Sequence, residues 1–285
     1  MSGAAFVQEP KFLDLLFSRR SVVIALGIFL VTLTLCLFAG LVSTADPAAM
    51  SVRNRLTPPG ADYWLGADAF GRDVLSRLLH AGRVSLGIGL GVAVLSSVIG
   101  ILIGLCAGFF RRLDGLLSRL IDAMMAFPDI LLAIALVAIL GGSVTNIMVA
   151  LSIVYAPRIA RIVRASTLVI RELPYVEAAK ALGSSTPTIM VDHVLRNILS
   201  PIIVQSTFIF AYAMLAEAGL SFLGVGVDPS TPTWGTMINE GRQYIDQAIF
   251  LIFFPGIAIS ISVLSLQLIG DGLRDAMDPR LAKDL

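Results

Sequence analysis

Glu177-Ala178-Ala179-Lys180-Ala181-Leu182-Gly183 is a short, alanine-rich, charged run enclosed between strongly apolar stretches, and that contrast decides how the chain is built. Ala, Leu, Lys and Glu favour helix, and Gly183 allows a turn at low steric cost. A second short helix can begin near residues 184–186, because Pro187 is tolerated in a first helical turn. The pattern predicts a compact helix-turn-helix knob outside a bilayer. An ordinary connecting loop is the plainer alternative.

The surrounding composition fits a membrane. Of 285 residues, 56% are hydrophobic and 14% charged, and the mean hydropathy is +0.87, too apolar for a water-soluble domain. A net charge of +1 gives no sign of an acidic partner, and no nucleic acid is expected. Cys36 and Cys106 lie inside apolar runs, so they read as packing residues rather than a disulfide framework. His80 and His193 fall on opposite sides of the expected membrane. No His, Cys and Asp cluster has ligand spacing, so no metal site is expected.

Outward from the knob, six apolar stretches read as transmembrane helices: 21–42, 84–110, 117–140, 146–163, 198–223 and 248–269. The first reaches roughly 33 Å as a helix, so it is read as a retained anchor and not as a signal peptide, despite the small residues at 43–45. The polar segment 43–83 follows, with an amphipathic helix expected over 69–80. Gly87 and Gly91, then Gly100, Gly104 and Gly108, recur every four residues and form smooth strips for helix packing. Pro128 is expected to kink the third span and Pro157 to interrupt the fourth. The expected organisation is 1–83 as N-terminal segment, first helix and external segment, 84–277 as a five-helix core with a cytoplasmic loop at 165–200, and 278–285 as a tail.

Lys and Arg set the orientation. With the N-terminus inside, Lys11, Arg19, Arg20, Arg111, Arg112, Arg119, Arg158, Arg161, Arg164, Arg171, Lys180, Arg196, Arg274, Arg280 and Lys283 are cytoplasmic, fifteen of the 21 basic residues. Both termini and the knob are then expected inside.

The Glu-Ala-Ala, three residues, Gly pattern resembles the EAA loop of ATP-driven importer permeases. Further stretches are similar to the C-type permease subunits of bacterial dipeptide, oligopeptide and nickel importers: Leu65-Gly66-Ala67-Asp68-Ala69-Phe70-Gly71-Arg72-Asp73, Phe127-Pro128-Asp129-Ile130-Leu131-Leu132, Glu217-Ala218-Gly219-Leu220-Ser221-Phe222-Leu223-Gly224, Pro232-Thr233-Trp234-Gly235 and Gly270-Asp271-Gly272-Leu273-Arg274-Asp275-Ala276-Met277-Asp278-Pro279-Arg280. One departure stands out. His193-Val194-Leu195-Arg196-Asn197 carries Arg196 where the family usually has Pro, so the turn into the fifth span is expected to be less rigid.

The resemblance implies an all-α integral membrane protein of six transmembrane helices, with a five-helix, MetI-like core of the type I ABC importers. It implies a bacterial inner-membrane permease that pairs with a homologous B-type permease, two ATP-binding cassette subunits and an extracytoplasmic substrate-binding protein. ATP and Mg would be bound by those ATPases. This chain has no Gly-x-x-x-x-Gly-Lys-Ser/Thr loop, so it is not expected to be an enzyme or to hold a cofactor. The implied cargo is a dipeptide or oligopeptide, with nickel or another solute as alternative. A proton-coupled secondary transporter is the rival of a different class.

By the same resemblance, Glu177, Ala178, Ala179 and Gly183 contact the ATPase: Glu177 through charge, the alanines through close packing, Gly183 through the turn. Asp122, Asp129 and Glu217 are acids in or beside spans, where ionisable groups are costly; each should face water, pair with a base or lie near the interface. They are the candidates for a gate or pathway. Trp64 and Trp234 fall in external loops and are candidates for binding-protein contact, with an interfacial aromatic belt as the plainer reading.

Overall fold

A computed structural model of the chain describes residues 16–17 and 19–277. Lys11, Arg280, Lys283 and the expected tail 278–285 lie outside the described residues. The architecture is helical: α1 (Arg20–Leu37), α2 (Val74–Phe109), α3 (Arg111–Met125), α4 (Asp129–Leu140), α5 (Val144–Ile170), α6 (Pro174–Ala181), α7 (Leu199–Phe222), α8 (Trp234–Gly241) and α9 (Phe250–Ala276). Among the described residues, five helices are long and apolar enough to cross a membrane, and the bent pair α3 and α4 makes a sixth crossing if counted as one.

The centre of the bundle is the parallel pair α2 and α5, in which Gly91, Gly100, Gly104 and Gly108 meet Met148, Ile159, Val163 and Thr167 in turn. Gly100, Gly104 and Gly108 face α5 so closely that an added Cβ would lie within 2.9 Å of the carbonyl oxygens of Ala156, Ala160 and Arg164. Helix backbones meet this closely only where side chains are absent. Ile147, Leu151, Ile159 and Val163 of α5 are fully buried there, with Ile209 and Leu220 of α7. A second core, around Trp234, Met237, Leu266 and Val263, seals α8 and α9 against α2.

Four expectations are corrected. No helix spans 69–80: Gly71 takes φ +72, a left-handed turn, and the helix starts at Val74 beneath the Asp73 cap, whose carboxylate accepts from the Ser76 N–H at 3.0 Å. That helix then runs unbroken for 36 residues, so the expected boundary at 83/84 falls inside one rod. The third span is broken: α3 and α4 meet at 95° around Phe127 and Pro128. Residues 111–125 are too polar on one side to lie fully in hydrocarbon, and Pro128 suits a helix start better than an interior. Pro157, by contrast, leaves α5 continuous and is itself buried in the bundle.

Candidate functional site

The knob is built as a helix, a turn and a second helical segment. Pro174 occupies the first turn of α6, and the helix ends at Gly183, which takes φ +83. Ser184 N–H then donates to the Ala179 carbonyl at 3.0 Å and Gly183 N–H to that of Lys180 at 3.0 Å, closing the end of the helix. Ser185 caps the next segment, Thr186–Thr188, by accepting from the Thr188 N–H.

Glu177, Ala178 and Gly183 are exposed, and Glu177 has no ion-pair partner among the described residues. Ala179 does not join them. Spaced three residues from Val176, it shares that residue's inward face, and both pack with Ile189 against Phe109 and Ile170. The expected outward packing by Ala179 is therefore corrected to a role inside the knob. Leu182, 87% exposed at the tip, is an outward apolar residue that the sequence reading passed over. Its place one residue before the turn glycine was the available signal.

Two connections join the knob to the bundle. Arg171 donates to the Gly108 carbonyl at 2.6 Å, and Lys180 sits over the Phe109 ring at 5.6 Å, so the end of α2 is held against α6. The second connection is continuous helix. From Thr186 the chain passes through a wider π segment, Ile189–Val194, and a tighter 3-10 segment, Leu195–Ile198, directly into α7. The expected loose turn at Arg196 is absent: Arg196 pairs with Asp192 one turn back at 3.1 Å, and with no proline here the backbone stays helical.

The intramembrane acids are placed in two groups. Arg158, Arg161 and Arg164, three apart on α5, pair in turn with Asp129 at the start of α4 and with Asp122 and Asp114 on α3. Arg161 to Asp122 is 2.8 Å, and Arg164 Nη2 to Asp114 Oδ2 is 3.0 Å. Asp114 belongs to this ladder as much as the two acids expected from sequence, and the regular arginine spacing was the clue to look for a third partner. Arg158 also lies over the rings of Tyr155 and Tyr212, at 5.2 and 5.3 Å.

Glu217 stands apart, fully buried. Its Oε1 accepts from the Ser221 and Thr233 hydroxyls, both at 2.8 Å, and its Oε2 from Ser85 at 3.3 Å. Each hydroxyl in turn accepts a backbone N–H: Ser85 from Trp234, Thr233 from Thr236 and Ser221 from Val227. With their acceptor sides occupied, the three hydroxyls turn their hydrogens to the carboxylate. Glu217 thus ties α2, α7 and the start of α8 together, with no cation paired to it among the described residues. The far end of α8 is tied as well, because Glu240 accepts from Arg72 at 2.8 Å and Arg77 at 3.1 Å.

The two tryptophans differ. Trp64 is 74% exposed, whereas Trp234 is 1% exposed and donates its indole N–H to the Leu78 carbonyl at 2.9 Å. Neither a docking partner nor a lipid belt can reach Trp234, so the expected contact there is corrected to a packing role. On the knob side, Ser200, Gln205, Phe208 and Arg274 line an open cavity of about 530 Å³ between α5, α7 and α9.

This arrangement has counterparts in known proteins. Residues 96–283 match the family described as "Binding-protein-dependent transport system inner membrane component". The chain is 50% identical over 266 residues to a Brucella suis protein assigned provisionally as a peptide transport system permease, covering 93% of this chain and 90% of that one. It is 45% identical to the di/tripeptide transport system permease protein of Pseudomonas aeruginosa, covering 90% and 88%. It is 41% identical to the dipeptide transport system permease protein of Alkalihalophilus pseudofirmus, covering 92% and 88%. In fold it is similar to a chain of the MetNI methionine ABC transporter in an inward-facing conformation, with a TM-score of 0.57 and 20% identity over 71% of this chain and 97% of that one. The chain belongs to the family of binding-protein-dependent transport system inner membrane components.

Proposed function

We propose that this permease carries short peptides across the inner membrane, delivered by an extracytoplasmic binding protein and driven by two separate ATPases seated on the knob. The observation that carries the cargo is the 45% and 41% identity, over nine-tenths of the chain, to permeases described as serving di- and tripeptides. The knob is the natural seat for the ATPases: it offers an unpaired carboxylate at Glu177 and apolar Leu182 on a rigid tip. It is also fused to α7, so movement of the tip is movement of a membrane helix. In this reading both termini and the knob are cytoplasmic, a second, homologous permease completes the conduit, and ATP and Mg stay on the partner subunits. Glu177, Ala178 and Gly183 form the ATPase contact, with Leu182 added and Ala179 bracing it from within. Trp64 is the candidate external contact. Asp122 and Asp129 are paired with arginines and Glu217 is caged by hydroxyls, which speaks against these three acids forming a free proton relay.

Uptake of a radiolabelled dipeptide by cells expressing the operon, competed by unlabelled dipeptide and by nickel, tests the cargo. Competition by peptide and dependence on ATP are the expected results. Competition by nickel alone would exchange the cargo, and uptake driven by the proton gradient without ATP would overturn the ATP-driven reading.

A further inference from the structure

Helix α3 carries a surface that the transport reading does not use. Leu113, Leu116 and Leu120 are 42%, 70% and 51% exposed on its outward side. Arg112 and Arg119, both exposed, stand two turns apart along one edge of that apolar strip. The two acids of the helix point the other way, Asp114 to Arg164 and Asp122 to Arg161. What α3 offers outward is therefore apolar surface bordered by unneutralised positive charge.

The attitude of the helix matters equally. It leaves the end of α2, meets α4 at 95°, and its acids at 114 and 122 reach arginines only three residues apart on α5. Eight residues advance about 12 Å along α3, while three advance about 4.5 Å along α5, so α3 crosses the membrane helices obliquely, at their knob-side ends. An amphipathic helix in that attitude sinks its apolar side chains among acyl chains while arginines at the edge reach the phosphates.

We propose that α3 is a lipid-binding element, with Leu113, Leu116 and Leu120 in the inner leaflet and Arg112 and Arg119 holding anionic phospholipid headgroups. The placement in the inner leaflet rests on the cytoplasmic position of the knob. Charge complementarity selects the lipid: the strip is a single helix wide, and among the described residues no acid pairs with its Arg112 or Arg119. Because the aspartate–arginine ladder joins α3 to α5, and α5 leads into α6, the charge of the leaflet is felt at the coupling knob.

The test uses the whole transporter, purified with its copurifying subunits and incubated with phosphatidylglycerol and phosphatidylcholine in competition, with retained lipid read by native mass spectrometry. Wild type retains phosphatidylglycerol preferentially. The double variant Arg112→Gln and Arg119→Gln loses that preference by about twenty-fivefold, about fivefold for each arginine. Arg112→Lys with Arg119→Lys keeps it, which guards against simple misfolding of the glutamine variant. Arg53→Gln, in the exposed loop after α1, also keeps it. No preference in wild type, or an undiminished one in the glutamine variant, overturns the proposal. Loss of a copurifying subunit with lipid retention intact would assign the face to that subunit and overturn it as well. Gly115→Cys separates the premise from the proposal: labelling by a membrane-impermeant maleimide only in inside-out vesicles is expected. Labelling in right-side-out vesicles would overturn the placement in the inner leaflet, independently of the lipid result.

Discussion

At Gly183 the backbone conformation, not a side-chain contact, makes the turn. Its φ of +83 lies where side chains with a Cβ are strained, yet an added Cβ would meet no atom within 4 Å. The strain is thus intrinsic to the residue and not due to crowding. Gly183→Asn should be nearly silent, because Asn tolerates this conformation, whereas Gly183→Val should cost about 1–2 kcal/mol locally and splay the knob. The ratio of peptide transported to ATP hydrolysed reads the difference. Equal ratios for Val and wild type would show that the turn does not transmit. Glu217 poses the opposite case, a side chain fixed by what donates to it. Three hydroxyl hydrogens converge on its oxygens, so the NH₂ of Glu217→Gln would face at least one of them. The variant should lose about 1–3 kcal/mol and loosen α8, seen as a lower Tm and as faster labelling of a cysteine placed in α8. A wild-type Tm would mean that the cage tolerates a donor. The sequence marked Glu217 as costly where it stands, but its partners Ser85 and Thr233 lie 132 and 16 residues away. No local pattern joins them.

The ladder is a property of elements: α5 supplies every arginine, and α3 and α4 supply the acids. Arg161 and Asp122 are mostly exposed, with side chains 51% and 68% accessible, so that rung is worth at most about 1 kcal/mol. Arg158 and Asp129 are less exposed and Arg158 also lies over two tyrosine rings, so their rung should count for more. Arg158→Met should therefore reduce the yield of monodisperse protein more than Arg161→Met. Asp122→Arg should be rescued by Arg161→Asp; gel filtration of fluorescent fusions gives the yields. Equal losses at the two rungs would deny the ranking. Element type was legible from apolar length and composition, and element ends were less so. The break at Phe127 and Pro128 carried a proline signal and was read as a kink. The merger of 74–83 with the second span was hidden, because Arg77 and His80 look interfacial in sequence, whereas in the fold Arg77 pairs with Glu240 and Asp68, far along the chain or outside the helix, and His80 bonds the Ser76 carbonyl.

For the molecule as a whole, the decisive measurement is what accompanies it. Wild type, expressed with its neighbouring genes, should bring down ATPases and a second permease. Glu177→Lys, which reverses an unpaired charge on the exposed knob, should still reach the membrane but lose the ATPases, by tenfold or more if the contact carries about 1.4 kcal/mol. Undiminished recovery would move the docking surface away from Glu177. The crossing pattern and the protruding knob were legible from composition alone, whereas the division of labour between the two ends of α8 needed the folded chain. One feature limits how such a machine moves. Gly100, Gly104 and Gly108 mesh with the α5 backbone like teeth in a rack, and a slip of one residue would drive side chains into carbonyl oxygens. The α2 and α5 pair is therefore locked in register, two helices fitted as one slab. In the proposed reading, a stroke delivered at the knob is spent on the helices that slide past this slab.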